Sequence, residues 1–383
     1  MPDLATLEAP AGNLAAAPPA PDPEALLAEL RSHPPAARAG LISRHPRFGR
    51  RALADLLIAR SRERLFDHPP EAVELTRLAV AATERLDPGR TGAAQAHDAA
   101  ARAWAYHANA LRVDGDPAGA AAAFGRAAEH RRRGSGDRLL AARCAELEAS
   151  LEKDQQRFER AHALLAQAIA VYRRDGLDER LGRALVKRGS ILLFEGRWSA
   201  ALRATLQALP LLRPERDPRT FGVAAHNAIN CLNHAGYSIA ARALLDAVRG
   251  LHQRLGDALS LLRLDWMAAE IDRELGLVAR AERGLVAVRE GFVERGMPYD
   301  AALVSLELAE IYARDRDPLK LERLAREMFP IFQSRALHRG ALAALILFRE
   351  AVALRQADLR LIGDLAAFLR CARRDHDLRF RPS

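Results

Sequence analysis

Lysine, cysteine and aromatic residues are all scarce in this 383-residue chain, and no long apolar run occurs in it. The three cysteines, Cys144, Cys231 and Cys371, stand far apart with no CxxC pair, which argues against a disulfide framework or a thiolate zinc site and fits a reducing cytoplasm. No segment approaches the ~18 uninterrupted apolar residues of a membrane span, and Met1 to Asp22 has no basic start before an apolar stretch. Neither membrane insertion nor export is expected. Aromatics make up 5% of the residues and β-branched alternation is nearly absent, whereas Ala, Leu, Arg and Glu dominate. That balance favours helices packed through small side chains over a sheet. A nucleophile elbow, a phosphate-binding glycine loop, an HExxH pair and a dinucleotide fingerprint are all missing, so a non-enzymatic chain without cofactor or metal is expected.

Charge is plentiful but almost all of one basic type. The net charge is +9, and the only lysines are Lys153, Lys187 and Lys320, the other basic residues being arginines spread along the chain. A spread of this kind matches high-GC bacterial codon usage. The alternative is a nucleic-acid-associated regulatory protein that uses an Arg-rich surface.

Residues 1–22, with Pro10, Pro18, Pro19 and Pro21 among alanines, carry no amphipathic period and read as a disordered leader. From Pro23 onward apolar residues recur at i, i+3, i+4 and i+7 in segments separated by short loops rich in Gly, Asp and Pro, the pattern of helix pairs. A fixed step of about forty residues underlies it. Gly115, Gly196, Gly236 and Gly276 stand on that step, with Gln156 and Arg316 filling the two places where glycine is missing. Each marks the turn inside a helical hairpin. Five residues past the turns stand Ala120, Ala161, Ala201, Ala241, Ala281 and Leu321, and nine past them Phe124, Leu165, Thr205, Leu245, Leu285 and Ala325. Twelve past come Ala127, Ala168, Ala208, Val248, Val288 and Met328, so three positions share one face of each second helix. Asp137, Asp178, Asp217 and Asp257 keep the same step and are expected to N-cap first helices.

The unit Trp104, Ala108, Leu111, Gly115, Ala120, Phe124, Ala127 resembles the tetratricopeptide-repeat signature of large, small, large, Gly, small, aromatic, small. Leu185, Gly189, Leu192, Gly196, Trp198, Ala201 and Ala208 follow it nearly as well. A step of forty exceeds the ~34 usual in that family and is similar to the long-repeat arrays of bacterial regulators and peptide-sensing proteins. The resemblance implies an all-α fold, an α-solenoid wound as a right-handed superhelix of antiparallel helix pairs. The expected organisation is a leader at 1–22, N-terminal helices with a capping and a first degenerate pair at 23–90, and six hairpins at 91–335. A capping pair at 336–376 and a tail at 377–383 complete it. What the resemblance implies for function is a protein–protein interaction scaffold or adaptor whose concave groove, lined by first helices, holds a peptide or a helix of a partner.

If first-helix positions two, five, nine and twelve face that groove, as the resemblance implies, its lining can be named. Arg102, Asn109, Arg112, Arg143, Lys153, Arg183 and Lys187 make a basic strip suited to an acidic peptide, the alternative being a solvated face. His226, Asn227, Asn230, Asn233 and His234 project at helical spacing, and their amides suit peptide backbone. His226 and His234 lack a carboxylate or Cys partner at metal-ligand spacing. Trp266 is expected beside Glu270 and Arg273 as a binding anchor, with core packing as the alternative, while Trp104 and Trp198 are expected in the core.

Overall fold

Every turn position read from the step of forty holds left-handed backbone in the computed structural model, which describes residues 21–255, 258–328, 339–372 and 378–380. The φ angle is +93° at Gly115, +70° at Gly196, +83° at Gly236 and +75° at Gly276, and Gln156 and Arg316 reach +58° and +53°. Each reversal is closed by an N–H that reaches back five residues to a carbonyl, as Arg197 does to Leu192 at 2.9 Å and Leu277 to Asp272 at 2.8 Å. Arg355, at +55°, extends the ladder by one hairpin, with Gln356 donating to the Ala351 carbonyl at 2.7 Å. Asp257, the leader up to residue 20 and most of the tail lie outside the described residues.

Among the described residues nineteen α-helices join these turns, and there is no strand. They form an all-α solenoid of antiparallel helical pairs, divided into two compact units, Met1–Leu151 and Glu152–Ser383. The first contains α1 (Pro23–Arg31), α2 (Pro35–Arg44), α3 (Arg51–Arg64), α4 (Pro69–Glu84), the single turn α5 (Pro88–Thr91), α6 (Ala93–Asp114) and α7 (Pro117–Arg133). Its core joins Leu30, Ile42, Phe48, Leu57 and Leu78 to Ala108, Ala120 and Phe124, all buried. Trp104 packs half-buried against this core, under the Arg126 guanidinium.

The unit boundary falls within α8 (Arg138–Asp154). The second unit continues with α9 (Phe158–Arg174), α10 (Asp178–Phe194), α11 (Trp198–Ala208), α12 (Pro218–His234), α13 (Ser238–Leu255), α14 (Ala258–Glu274) and α15 (Val278–Glu294). It ends with α16 (Pro298–Arg314), α17 (Pro318–Glu327), α18 (Arg339–Ala353) and α19 (Leu359–Ala372). The second helices bury all three of their signature positions, Ala201, Thr205 and Ala208 on α11 and Ala281, Leu285 and Val288 on α15 among them. These small side chains let the first helix come close. The limit is reached at Gly189, where a methyl group would stand 2.8 Å from the Thr205 hydroxyl. First helices α10, α12 and α14 lie side by side, and α16 packs on α19.

Aspartate caps behave as expected at Asp137, which accepts from the Leu139 N–H at 2.8 Å, and at Asp217, which accepts from Thr220 at 3.1 Å. Asp178 does not. The preceding turn, with Gly176 at φ +64° and the Leu177 N–H bonded to the Tyr172 carbonyl, starts α10 one residue early, so Asp178 is its first residue and Leu177 its cap. There the carboxylate meets the positive end of the helix instead.

Left-handed backbone costs an ordinary L-residue about 1–2 kcal/mol and glycine almost nothing. Gln156→Gly is therefore expected to stabilise the fold by about 1 kcal/mol and Gly236→Ala to destabilise it by a similar amount. Urea denaturation followed by circular dichroism at 222 nm checks both, the two midpoints moving in opposite directions.

Candidate functional site

Because the step of forty stacks like positions of successive first helices, the second unit turns one face of α10, α12, α14 and α16 toward a cavity of about 730 Å³. Lys153 at the end of α8, Trp198 on α11 and Arg370 on α19 complete its wall. Amides and a hydroxyl occupy one side. Asn227 is buried and donates to the Ser190 hydroxyl at 2.9 Å, and Ser190 donates to the Val186 carbonyl at 3.1 Å. Asn230 and His226 stand on the same face of α12, half-buried.

Aromatic rings frame the cavity. Trp198, expected in the core, is half-buried and stacks on His234 with centroids 4.0 Å apart, because its place at the start of α11 holds it at the turn end of the hairpin. Burial lowers the His234 pKa below the ordinary histidine value, with Arg370 and Arg273 acting in the same direction. Trp266 lies both in the cavity wall and against the core: its edge meets Phe292 at 5.6 Å, and its indole N–H donates into the cavity to Glu307 at 2.9 Å.

The strongest electrostatic feature is a pair of carboxyls. Glu307 is buried and Glu270 half-buried, and the two are hydrogen-bonded to each other. Burial, then the charge of Glu307, pushes Glu270 up to about 8, while Arg273 and Arg370 pull in the opposite direction. Burial also raises Glu307 against the Trp266 N–H and the same two arginines. Two carboxylates in contact in a desolvated setting cannot both ionise cheaply, so the pair holds a proton at neutral pH. Arg273 meanwhile reaches Glu310 at 3.3 Å, which also binds Arg314 at 2.6 Å.

The residues named from the sequence divide accordingly. Lys153, His226, Asn227, Asn230, Trp266, Glu270 and Arg273 stand together in the cavity wall. Arg183, Lys187 and Asn233 are outside it: Arg183 pairs with Asp217 at 2.7 Å, Lys187 is half-buried, and Asn233 accepts from the Ser238 hydroxyl at 2.8 Å within the α12–α13 turn. Arg102, Asn109, Arg112 and Arg143 belong to the first unit. There Arg102 pairs with Asp55 at 2.9 Å, and Asn109 is buried and accepts from Arg112 at 3.2 Å. Arg143 donates to the Tyr106 hydroxyl at 3.0 Å and to Glu146 at 2.7 Å. Burial disfavours its charge, but Glu146 and Tyr106 together raise its pKa further. Among the basic strip, Lys153 also has a partner, Asp154 at 3.1 Å, and lies over the Phe194 ring.

Sequence reasoning missed Arg263, Glu307, Glu310 and Arg370. Arg263 had a signal, standing on the step that carries Arg102, Arg143 and Arg183. Among the described residues no cluster of His, Cys, Asp and Glu has the arrangement of a metal site.

An acid whose folded pKa is raised stabilises the fold fully below its unfolded value and loses that contribution as pH rises through the folded one. The fold should therefore weaken between about pH 4.5 and about pH 8 through this pair. Glu270→Gln removes that loss, and its melting temperature is expected to exceed the parent's by more at pH 9 than at pH 5 when both are scanned by differential fluorimetry.

No protein-family model and no curated protein matches the chain. Among solved structures it is similar to a Rap protein complexed with competence and sporulation factor, at 13% identity and a TM-score of 0.62 over 84% of this chain and 88% of that one. It is also similar to a signal transduction ATPase with numerous domains, carrying a tetratricopeptide-repeat sensor, from Pyrococcus horikoshii, at 14% identity and a TM-score of 0.60. That match covers 92% of this chain but 52% of the other, so the chain spans about half of that protein's length. Aspartyl phosphate phosphatase F from Bacillus subtilis matches at 13% identity and a TM-score of 0.55, over 74% and 72% of the two chains. At such identities the likeness is one of fold, and the fold is the tetratricopeptide-type helical-repeat solenoid.

Proposed function

We propose that this chain is a non-enzymatic adaptor of bacterial regulation or signalling that binds a peptide, or a segment of a partner protein, in the cavity of its second unit. The observation that carries this is the composition of the wall. Four successive first helices and the start of α11 contribute amides for peptide backbone, two tryptophans for apolar anchors and fixed charges for register, around a space of about 730 Å³. The Rap protein described above was solved with competence and sporulation factor, and the repeat array of the ATPase is a sensor; both support a binding role.

A cytoplasmic setting goes with this reading. All three cysteines are unpaired, and burial pushes the thiols of Cys144 and Cys231 up to about 11, which leaves them inert. Among the described residues no helix is long and apolar enough to cross a membrane.

With the purified chain as bait in a lysate of its own host at moderate salt, the parent is expected to retain a protein or peptide. The variant Asn227→Ala, Asn230→Ala, Trp266→Ala should lose it while keeping its helical circular dichroism. Truncating one buried aromatic anchor alone lowers affinity by about 2 kcal/mol or more, roughly thirtyfold. Retention of nucleic acid alone, by both proteins and released by salt, would instead assign the function to the arginine surface.

A further inference from the structure

Two arginines of the cavity wall differ from its other cations. Arg273 is joined to Glu310 and Lys153 to Asp154, whereas Arg263 on α14 and Arg370 on α19 have no ion pair or hydrogen bond among the described residues. Arg263 is half-buried and Arg370 exposed; a guanidinium left half-buried without a carboxylate, as Arg263 is, is a poor arrangement for the empty protein and a good one for an anionic ligand, which it would grip with paired N–H donors. The wall's other acids cancel this charge only in part. Glu310 is occupied by Arg273 and Arg314, and Glu270 and Glu307 face each other with a proton held in the pair.

We propose that the cavity selects an anionic peptide segment, seating its carboxylates against Arg263 and Arg370, and that its occupancy is linked to the proton shared by Glu270 and Glu307. This deepens the adaptor reading and rests on the cavity being the peptide site. The groups that act on the carboxyl pair come from every element around it: Trp266 and Arg273 from α14, Glu310 from α16 and Arg370 from α19. His226 and His234 of α12 share the cavity, and burial lowers the His234 pKa. As pH rises through about 8 the pair loses its proton and adds a negative charge beside Arg370. An anionic segment is then repelled, whereas a cationic one would be drawn in more strongly.

Fluorescence anisotropy of the full chain with three labelled octapeptide pools, alanine–glutamate, alanine–glutamine and alanine–lysine, at fixed ionic strength between pH 6.5 and 9.5, tests this. The glutamate pool is expected to bind on the order of tenfold tighter than the glutamine pool, with the lysine pool weakest. Its affinity should fall severalfold across that pH range. Arg263→Gln with Arg370→Gln should erase the preference for glutamate, and Glu270→Gln should erase the fall with pH. Equal binding of the glutamate and glutamine pools, tightest binding of the lysine pool, or a fall with pH that survives Glu270→Gln would each overturn the proposal while leaving the adaptor reading intact. If no pool binds, or if binding is indifferent to Trp266→Ala, the adaptor reading fails and this proposal with it. A labelled oligothymidylate run in parallel identifies the remaining case: if it outcompetes the glutamate pool at every pH, the arginines serve phosphate and the peptide assignment is wrong.

Discussion

The closeness with which each second helix approaches its first is the constraint on which the rest of this structure depends. Alanine at 201, 241 and 281 is buried at the contact, and Gly189 has no room for even a methyl group beside Thr205. Bulkier side chains there would separate the helices of a hairpin and change its rise. With the approach held constant and the turns placed about forty residues apart, equivalent positions of α10, α12 and α14 come into line. Thus Ser190 and Asn227, or Trp266 and Glu307, meet across neighbouring hairpins although they are far apart in the chain. The cavity is a product of that alignment.

Alignment also explains why the charged groups divide into two kinds. Arginines at the second position of the repeat register tend to find an acid within reach, as Arg102 does at Asp55 and Arg183 at Asp217. Such half-exposed pairs contribute modestly, on the order of 1 kcal/mol or less, and mainly settle where the side chains point. Arg263 occupies the same position in its own hairpin without such an acid, and the carboxyls nearest the cavity, Glu270 and Glu307, are directed at each other. Part of the basic charge in the sequence is therefore paired within the fold, and Arg263 and Arg370 stand in the cavity wall without an ion pair among the described residues.

Much of the fold was legible because turns and small core residues obey a period that needs only local chemistry. Gly115, Gly196, Gly236 and Gly276 announce themselves, and Gln156 and Arg316 follow by register although neither side chain favours their backbone. Arg355 escaped because its hairpin lacks the signature around it. The cavity was half legible: Asn227, Asn230, Trp266, Glu270 and Arg273 follow from helical spacing and register. Arg183 shares that register but is drawn off by Asp217, an acid from the next loop that spacing along one helix does not reveal. Arg370 lies on the last hairpin, which lacks the signature, and the pairing of Glu270 with Glu307 arises from how two helices stack, which neither helix encodes alone.

Placing a photocrosslinking amino acid at Asn230, inside the cavity, and separately at Arg283, exposed on the outer helix α15, tests the assignment of the site most directly. After irradiation in the host lysate, mass spectrometry of the adducts should find one recurrent peptide or protein segment joined to position 230 and none enriched at 283. Adducts that are the same at both positions, or that form only at 283, would contradict a binding role for the cavity.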